Sequence, residues 1–382
     1  MKKILSLYIC LMTLCCAARA QTQKLPSAIA KSLLGNSVRQ TAAVPAQRAL
    51  GVSAARQSAY LKSFGQAALD DLDDMLEGYC NLNVKVPPPE ALRRHYQLQE
   101  QMVANWMKRD YAGFVLSDAL REKVTMEAKV GRIDYTQYFP AGARLLALGE
   151  VHENDWAASQ VEQAVYQYVR AYPERNVYYA SEFIDAVPGR GPVYLLSGEQ
   201  DVERLVRKRP FYRDMTRRLV RAGVRVVGLE NPALSDELLK VGYKADFANT
   251  ELAWKTISPA GMAERNSYWS GILRRIYAHD PDAVVFVHAG LGHTNYNHPG
   301  SLPLLLKEFK PFVAEFSPEG TQELNTLLER HMPLPWELRS AGRRMQRAAP
   351  GKHLQYVRFM KSKAAALVAG GDLNIRLAPP AE

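Results

Sequence analysis

Five short apolar runs constrain this chain more than any other feature in it: Arg144–Leu148, Asn176–Ala180, Val224–Leu229, Ala283–His288 and Phe312–Phe316. Rich in β-branched and aromatic residues and lacking polar alternation, they read as strands buried on both faces. Helical stretches separate them. Within 155–172, Ala157, Val161, Ala164, Val165 and Tyr168 fall on one face, with Asn154 as the N-cap, and 211–222 and 263–278 follow suit. Strand and helix in alternation predict an α/β fold, a parallel β-sheet of βαβ units with helices on both faces.

That core spans 134–317. Before it, 1–20 has the form of a secretory signal peptide: Lys2 and Lys3, an apolar stretch from Ile4 to Cys16, then Ala18-Arg19-Ala20 as a small-x-small cleavage site. An exported protein, periplasmic or secreted, is expected. A lipoprotein would use Cys15 or Cys16, but the bulky Leu14 before Cys15 fits that poorly. Residues 21–58, rich in Ala, Gln, Ser and Arg without a clear period, predict a flexible leader. Residues 59–133 predict a helical region packed on the core. There 60–80 and 90–130 look helical, with Leu92, Tyr96, Gln99, Val103 and Trp106 at helical spacing after Pro87-Pro88-Pro89. Beyond 317, residues 318–382 predict a helical, basic extension ending in Leu-Asn-Ile-Arg-Leu, which suits an edge strand.

Three of the four cysteines lie within the first twenty residues, so Cys80 has no partner for an internal disulfide in the exported chain. The formal charge of +10 falls by three, to +7, when Lys2, Lys3 and Arg19 leave with the signal. That surplus favours contact with anionic envelope surfaces, while no Lys/Arg block has the form of a nucleic-acid motif. The most basic stretch, 205–225, suits the solvated face of a helix.

The chemistry collects at the ends of the runs. The first ends in Gly149, Glu150 and His152; the second runs into Glu182; the third into Glu230; the fourth into His288 and then Gly290-Leu-Gly-His293. In a parallel sheet these carboxyl ends share one edge, so side chains remote in sequence converge. If the backbone stays extended through Val151, Glu150 and His152 point the same way. Each carboxylate alone suits a helix cap equally well; four successive strands ending this way favour a site. On the helix after Pro259, Arg265 shares the apolar face of Trp269, Ile272, Leu273 and Ile276. A buried arginine needs an anionic partner, which Glu150, Glu182, Glu230 or a substrate could supply. A snorkelling side chain near the helix start fits as well.

These residues resemble a family. Gly149-Glu-Val-His152 and Gly290-Leu-Gly-His293 look like the two Gly-x-x-His motifs that bracket the EreA/ChaN-like, TraB and Tiki superfamily. Glu182 and Met262-Ala-Glu-Arg-Asn266 look like its intervening acidic and arginine positions. Gly-Glu-x-His followed by Glu153-Asn154 is similar to the ChaN-like haem-binding branch. Erythromycin-esterase-like members space Glu and His one residue further apart, and Tiki and TraB members carry threonine where Glu150 stands. The resemblance covers 134–317.

Two functions compete, with a scaffold whose polar strand ends merely satisfy one another as the third. A hydrolase would use Glu150, His152, Glu182 and His293 to bind a divalent metal, Zn or Mn, that activates water, with Glu230 and His288 behind them. Alternatively, His152 would serve as metal-free general base, and Arg265 would hold an anionic group or an oxyanion. Either route acts on a small-molecule or peptide substrate. The resemblance to the ChaN-like branch implies instead a protein that binds haem, non-covalently because no Cys-x-x-Cys-His is present, with Tyr178, Tyr179, Tyr296 and His298 as available ligands.

Overall fold

The computed structural model describes residues 118–152, 154–187, 192–207, 210–241, 258–296, 298–318 and 331–379, with single residues between 94 and 113 and at 252, 255, 256 and 328. The expected signal, leader, first helix, proline break and Cys80 lie outside the described residues. The chain divides into two units. Residues 1–105 with 245–260 form one, of which few residues are described; 106–244 with 261–382 form the other, which carries the sheet.

The strands are β1 (Val124–Val130), β2 (Leu145–Glu150), β3 (Val177–Asp185), β4 (Arg225–Glu230), β5 (Val284–Gly290), β6 (Phe312–Pro318), β7 (Leu354–Met360) and β8 (Leu373–Leu377). They form one sheet in the order β1-β7-β8-β6-β2-β5-β3-β4. Every pairing from β8 through β6, β2, β5 and β3 to β4 is parallel, and β7 runs antiparallel to both neighbours. The five apolar runs are β2 to β6, at the centre and one side of the sheet.

Two expectations need correction. Residues 124–130 are a strand, not helix, and 318–382 is no helical appendage, because it contributes β7 and β8 to the sheet. In β1, Val124, Met126, Ala128 and Val130 alternate with Thr125, Glu127 and Lys129, the period-two pattern of an edge strand. β8 is internal, because β7 pairs outside it.

Helices cover both faces. On one lie α1 (Asp155–Ala171), α2 (Glu199–Leu205) and α3 (Pro210–Arg221), packed on Leu146, Leu148 and Phe286. After α4 (Pro232–Lys240), α5 (Pro259–His279) sets Trp269, Leu273 and Ile276 against Leu145, Val285 and Val287 on the opposite face. Short turns α6 (Leu291–Thr294) and α7 (Leu302–Leu305) follow β5. Finally α8 (Trp336–Ala348) packs on β1 and β7, and α9 (Lys363–Ala369) on Ala147 and Val313. Asn154 caps α1 as expected, its Oδ1 accepting from the Ala157 amide at 3.1 Å. Among the described residues, no helix is long and apolar enough to cross a membrane.

One glycine fixes how α6 meets the sheet. A Cβ on Gly149 would lie 2.2 Å from Thr294 Oγ1 and 2.9 Å from Leu291 Cδ2. Gly149→Ala should therefore destabilise the fold by about 1–3 kcal/mol through overpacking. Adding Thr294→Ala should recover part of that loss; urea unfolding midpoints of the single and double variants check both statements.

Candidate active site

The register of the central strands assembles the site. Leu148 of β2 pairs with His288 of β5, and Glu150 with Gly290. On β5's other side, Ser181 of β3 pairs with His288, which sets Glu182 beside the same strand end. Side chains alternate along each strand, so Glu150 and His288 share the α1/α3 face with Leu146, Leu148 and Phe286. Glu182 shares the opposite face with Tyr178 and Ala180, where α5 packs.

His152 lies past the end of β2, between the two faces. Its Nδ1 is 3.6 Å from Glu150 Oε1 and its Nε2 is 3.1 Å from Glu182 Oε1. Gly290 makes the approach feasible, since a Cβ there would come within 2.7 Å of His152 Nε2. Glu182 Oε2 accepts the Gly290 amide at 3.1 Å. Both His152 ring nitrogens thus face carboxylate oxygens, which can only accept; in the neutral form the nearer one, Glu182, holds the proton on Nε2 and Nδ1 faces Glu150.

Glu150 is the hub on its face. Tyr212 of α3 donates its hydroxyl to Glu150 Oε1, and His288 Nε2 lies 2.9 Å from Oε2. Tyr179 OH in turn meets His288 Nδ1 at 2.6 Å. Burial pushes the Glu150 carboxyl up, but His288 and His152 more than offset that and hold it at about 2. The Tyr212 and Tyr179 hydroxyls are pushed upward, by burial first and then by nearby carboxylates, and stay protonated donors. Phe183 stacks on Tyr212, ring centroids 3.8 Å apart, and meets both His152 and His288 edge-on.

On the other face, Arg265 is paired, not snorkelling: its Nη2 donates to Glu230 Oε2 at the end of β4. Its Nη1 lies 3.1 Å from His293 Nε2, and its guanidinium stacks over Trp269. An arginine only donates, so His293 Nε2 accepts and Nδ1 carries the proton. That proton goes to Asn266 Oδ1 at 2.7 Å, while Asn266 Nδ2 donates to Gly300 O at 2.9 Å. Burial and the adjoining Arg265 both push the His293 imidazolium form down, which agrees with this neutral tautomer.

All the expected site residues thus meet at one strand edge: Glu150, His152, Glu182, Glu230, Arg265, His288 and His293. His288 touches Glu150 directly, from the buried side. Tyr212 and Asn266 were not foreseen as partners, and nothing in the helical pattern around Tyr212 marks it. The four donors Glu150, His152, Glu182 and His293 do not fit a metal ion as placed. Among the described residues, no group of three or more His, Cys, Asp or Glu side chains could hold one, and His293 Nε2 already faces the Arg265 cation. The side chains expected to ligate haem are also engaged. Tyr178 OH donates to Asp280, Tyr179 OH meets His288, Tyr296 OH donates to Asp372, and His298 is buried.

No family model matches this chain, and no curated protein matches it. Among solved structures, it is similar to a variant of the erythromycin esterase EreC in its open conformation, at 13% identity and a TM-score of 0.35, over 68% of this chain and 98% of that one. It is also similar to the type III effector HopBA1, at 16% identity and a TM-score of 0.32, over 50% and 86% of the two chains. For a Bacillus cereus protein the identity is 9% and the TM-score 0.35, over 71% and 98%. Likeness at this level transfers no activity.

The depressed Glu150 carboxyl makes stability depend on pH. Its stabilisation is fully present above its ordinary value of 4.5 and is lost as pH falls towards about 2. At neutral pH the contribution is on the order of 3 kcal/mol. Glu150→Gln should lower stability at pH 7 and flatten the acid limb between those values, as read from unfolding free energy against pH.

Proposed function

We propose that this protein is a hydrolase in which His152, without a metal, is the general base that activates water against an ester or amide carbonyl. One observation carries the proposal. The His152 side chain is 45% exposed, whereas those of Glu150, Glu182, His288 and His293 are 6% exposed or less. A base must reach both water and substrate, and of these groups His152 is the one with access.

Nδ1 takes the proton from water while the oxygen attacks the carbonyl carbon. The imidazolium that forms lies between two carboxylates, Glu182 at 3.1 Å and Glu150 at 3.6 Å, which stabilise its charge. The same proton then passes to the leaving group as the tetrahedral intermediate collapses. Glu182 fixes the tautomer, and Glu150, itself held by Tyr212 and His288, orients the ring. Arg265 is committed to Glu230 and His293, so in this mechanism it positions His293 instead of contacting the substrate's anionic group.

His152→Ala should reduce kcat for ester or peptide hydrolysis roughly 10²- to 10⁴-fold, the range for loss of a general base. Its thermal unfolding should fall only modestly, because the side chain is half-exposed and Glu150 keeps His288 and Tyr212. Turnover unaffected by the substitution, or abolished by a chelator, sinks the mechanism. A Soret band that develops on adding haem and disappears in the His152 variant would point to the binding function instead.

A further inference from the structure

Helix α8 presents a surface that the proposed chemistry does not use. One side of the helix is fastened to the sheet. A Cβ on Gly342 would lie 3.0 Å from Leu354, 3.2 Å from Ala128 and 3.2 Å from Tyr356, and Gln346 one turn on is buried. The other side carries Trp336, Ser340, Arg344 and Arg347 at i, i+4, i+8 and i+11, a continuous stripe on an α-helix. Thirteen residues make that stripe about 20 Å long.

Trp336 is 74% exposed, the largest apolar exposure among the described residues, and Met345 is 45% exposed on the flank of the same helix. Arg344 donates only to Ser340 Oγ, at 2.8 Å, and Arg347 is exposed; neither forms an ion pair with a described residue. Exposed Lys352 follows the helix, and Glu337 is the single carboxylate on it. Arg343 is turned back, donating to Gln346 Oε1 and the Pro379 carbonyl.

We infer that this face of α8 docks on an anionic phospholipid surface. Unpaired arginines supply the attraction to acidic headgroups, worth roughly five-fold in partitioning for each residue near the surface. They do not by themselves select lipid over another polyanion. Trp336 makes that selection: a large amphipathic ring held out in water gains most where its apolar body enters the headgroup layer and its indole N–H stays hydrated. Because the buried side of the helix is fixed by Gly342, the face is presented ready-folded, and no ordering step precedes contact.

The test is sedimentation of the full chain with vesicles of phosphatidylglycerol and phosphatidylcholine, against vesicles of phosphatidylcholine alone, at low and at about 0.15 M salt. Binding should require the anionic lipid and weaken with salt. Arg344→Ala/Arg347→Ala should reduce the partition coefficient roughly 25-fold. Trp336→Ala should also reduce it and should remove quenching by lipids brominated near the headgroup. Lys240→Ala/Lys307→Ala removes the same charge from exposed sites elsewhere and should bind like the parent. Binding that survives intact in the α8 variants belongs to another part of the chain, such as apolar 4–16, and overturns the inference. Equal loss in the lysine control reduces the effect to net charge and also overturns it, as does no binding to anionic vesicles.

Discussion

A buried carboxylate at the end of the central strand sets the terms for everything around it. Glu150 is 1% exposed and ionised, a state that costs several kcal/mol unless other groups replace the lost water. The fold supplies them from three directions: His288 from the neighbouring strand, Tyr212 from the helix above, and His152 from the turn just beyond. Remove the sheet register and none of them reaches. The register that builds the sheet is thus also what brings these partners to Glu150, so site and scaffold share their determinants.

The strand order explains why two separate polar sets meet at one histidine. β5 enters the sheet between β2 and β3, so its His288 falls beside Glu150 on one face, and the Gly290–His293 turn that follows it falls beside Glu182 on the other. Each face keeps its own polar partners, Glu150 with His288 and Tyr212, Glu230 with Arg265. His152, beyond the last residue of β2, belongs to neither face and touches a carboxylate from each. Its exposure goes with the same fact: it stands just past the point where the strand stops.

How much of this was legible depended on how local the signal was. The five central strands announced themselves because burial on both faces leaves an uninterrupted apolar run, and the strand-end rule then brought Glu150, Glu182, Glu230 and His288 to one edge. For Arg265 the sequence left an anionic partner and a snorkelling side chain both open, with Glu230 among the candidate partners. The alternation in Val124–Val130 was present but read as helix, because helical spacing upstream dominated the window. Leu354–Met360 escaped because polar Gln355 and Arg358 interrupt the run, and both are buried in the fold by pairing that sequence does not display. Tyr212 and Asn266 act through contacts across 62 and 27 residues, so no local pattern points to them. The surroundings of the expected metal set are non-local too: Arg265, 28 residues from His293 in sequence, faces its Nε2.

The same sheet order bears on whether catalysis and surface docking could coexist in one molecule. Helix α8 rests on β1 and β7, whereas the His152 edge is built on β2, β5 and β3. Between β7 and β2 stand β8 and β6, so three interstrand steps of about 4.8 Å, roughly 14 Å in all, separate the two regions within the sheet. Arg344 and Arg347 are exposed to solvent, where the Debye length at physiological salt is about 8 Å, so their field is screened by the surrounding ions. Charges removed from α8 should then leave the electrostatics around Glu150 and His152 nearly unchanged. Loss of docking and loss of turnover are separable in principle, and a chain held at a surface through α8 keeps its histidine edge on a different part of the sheet.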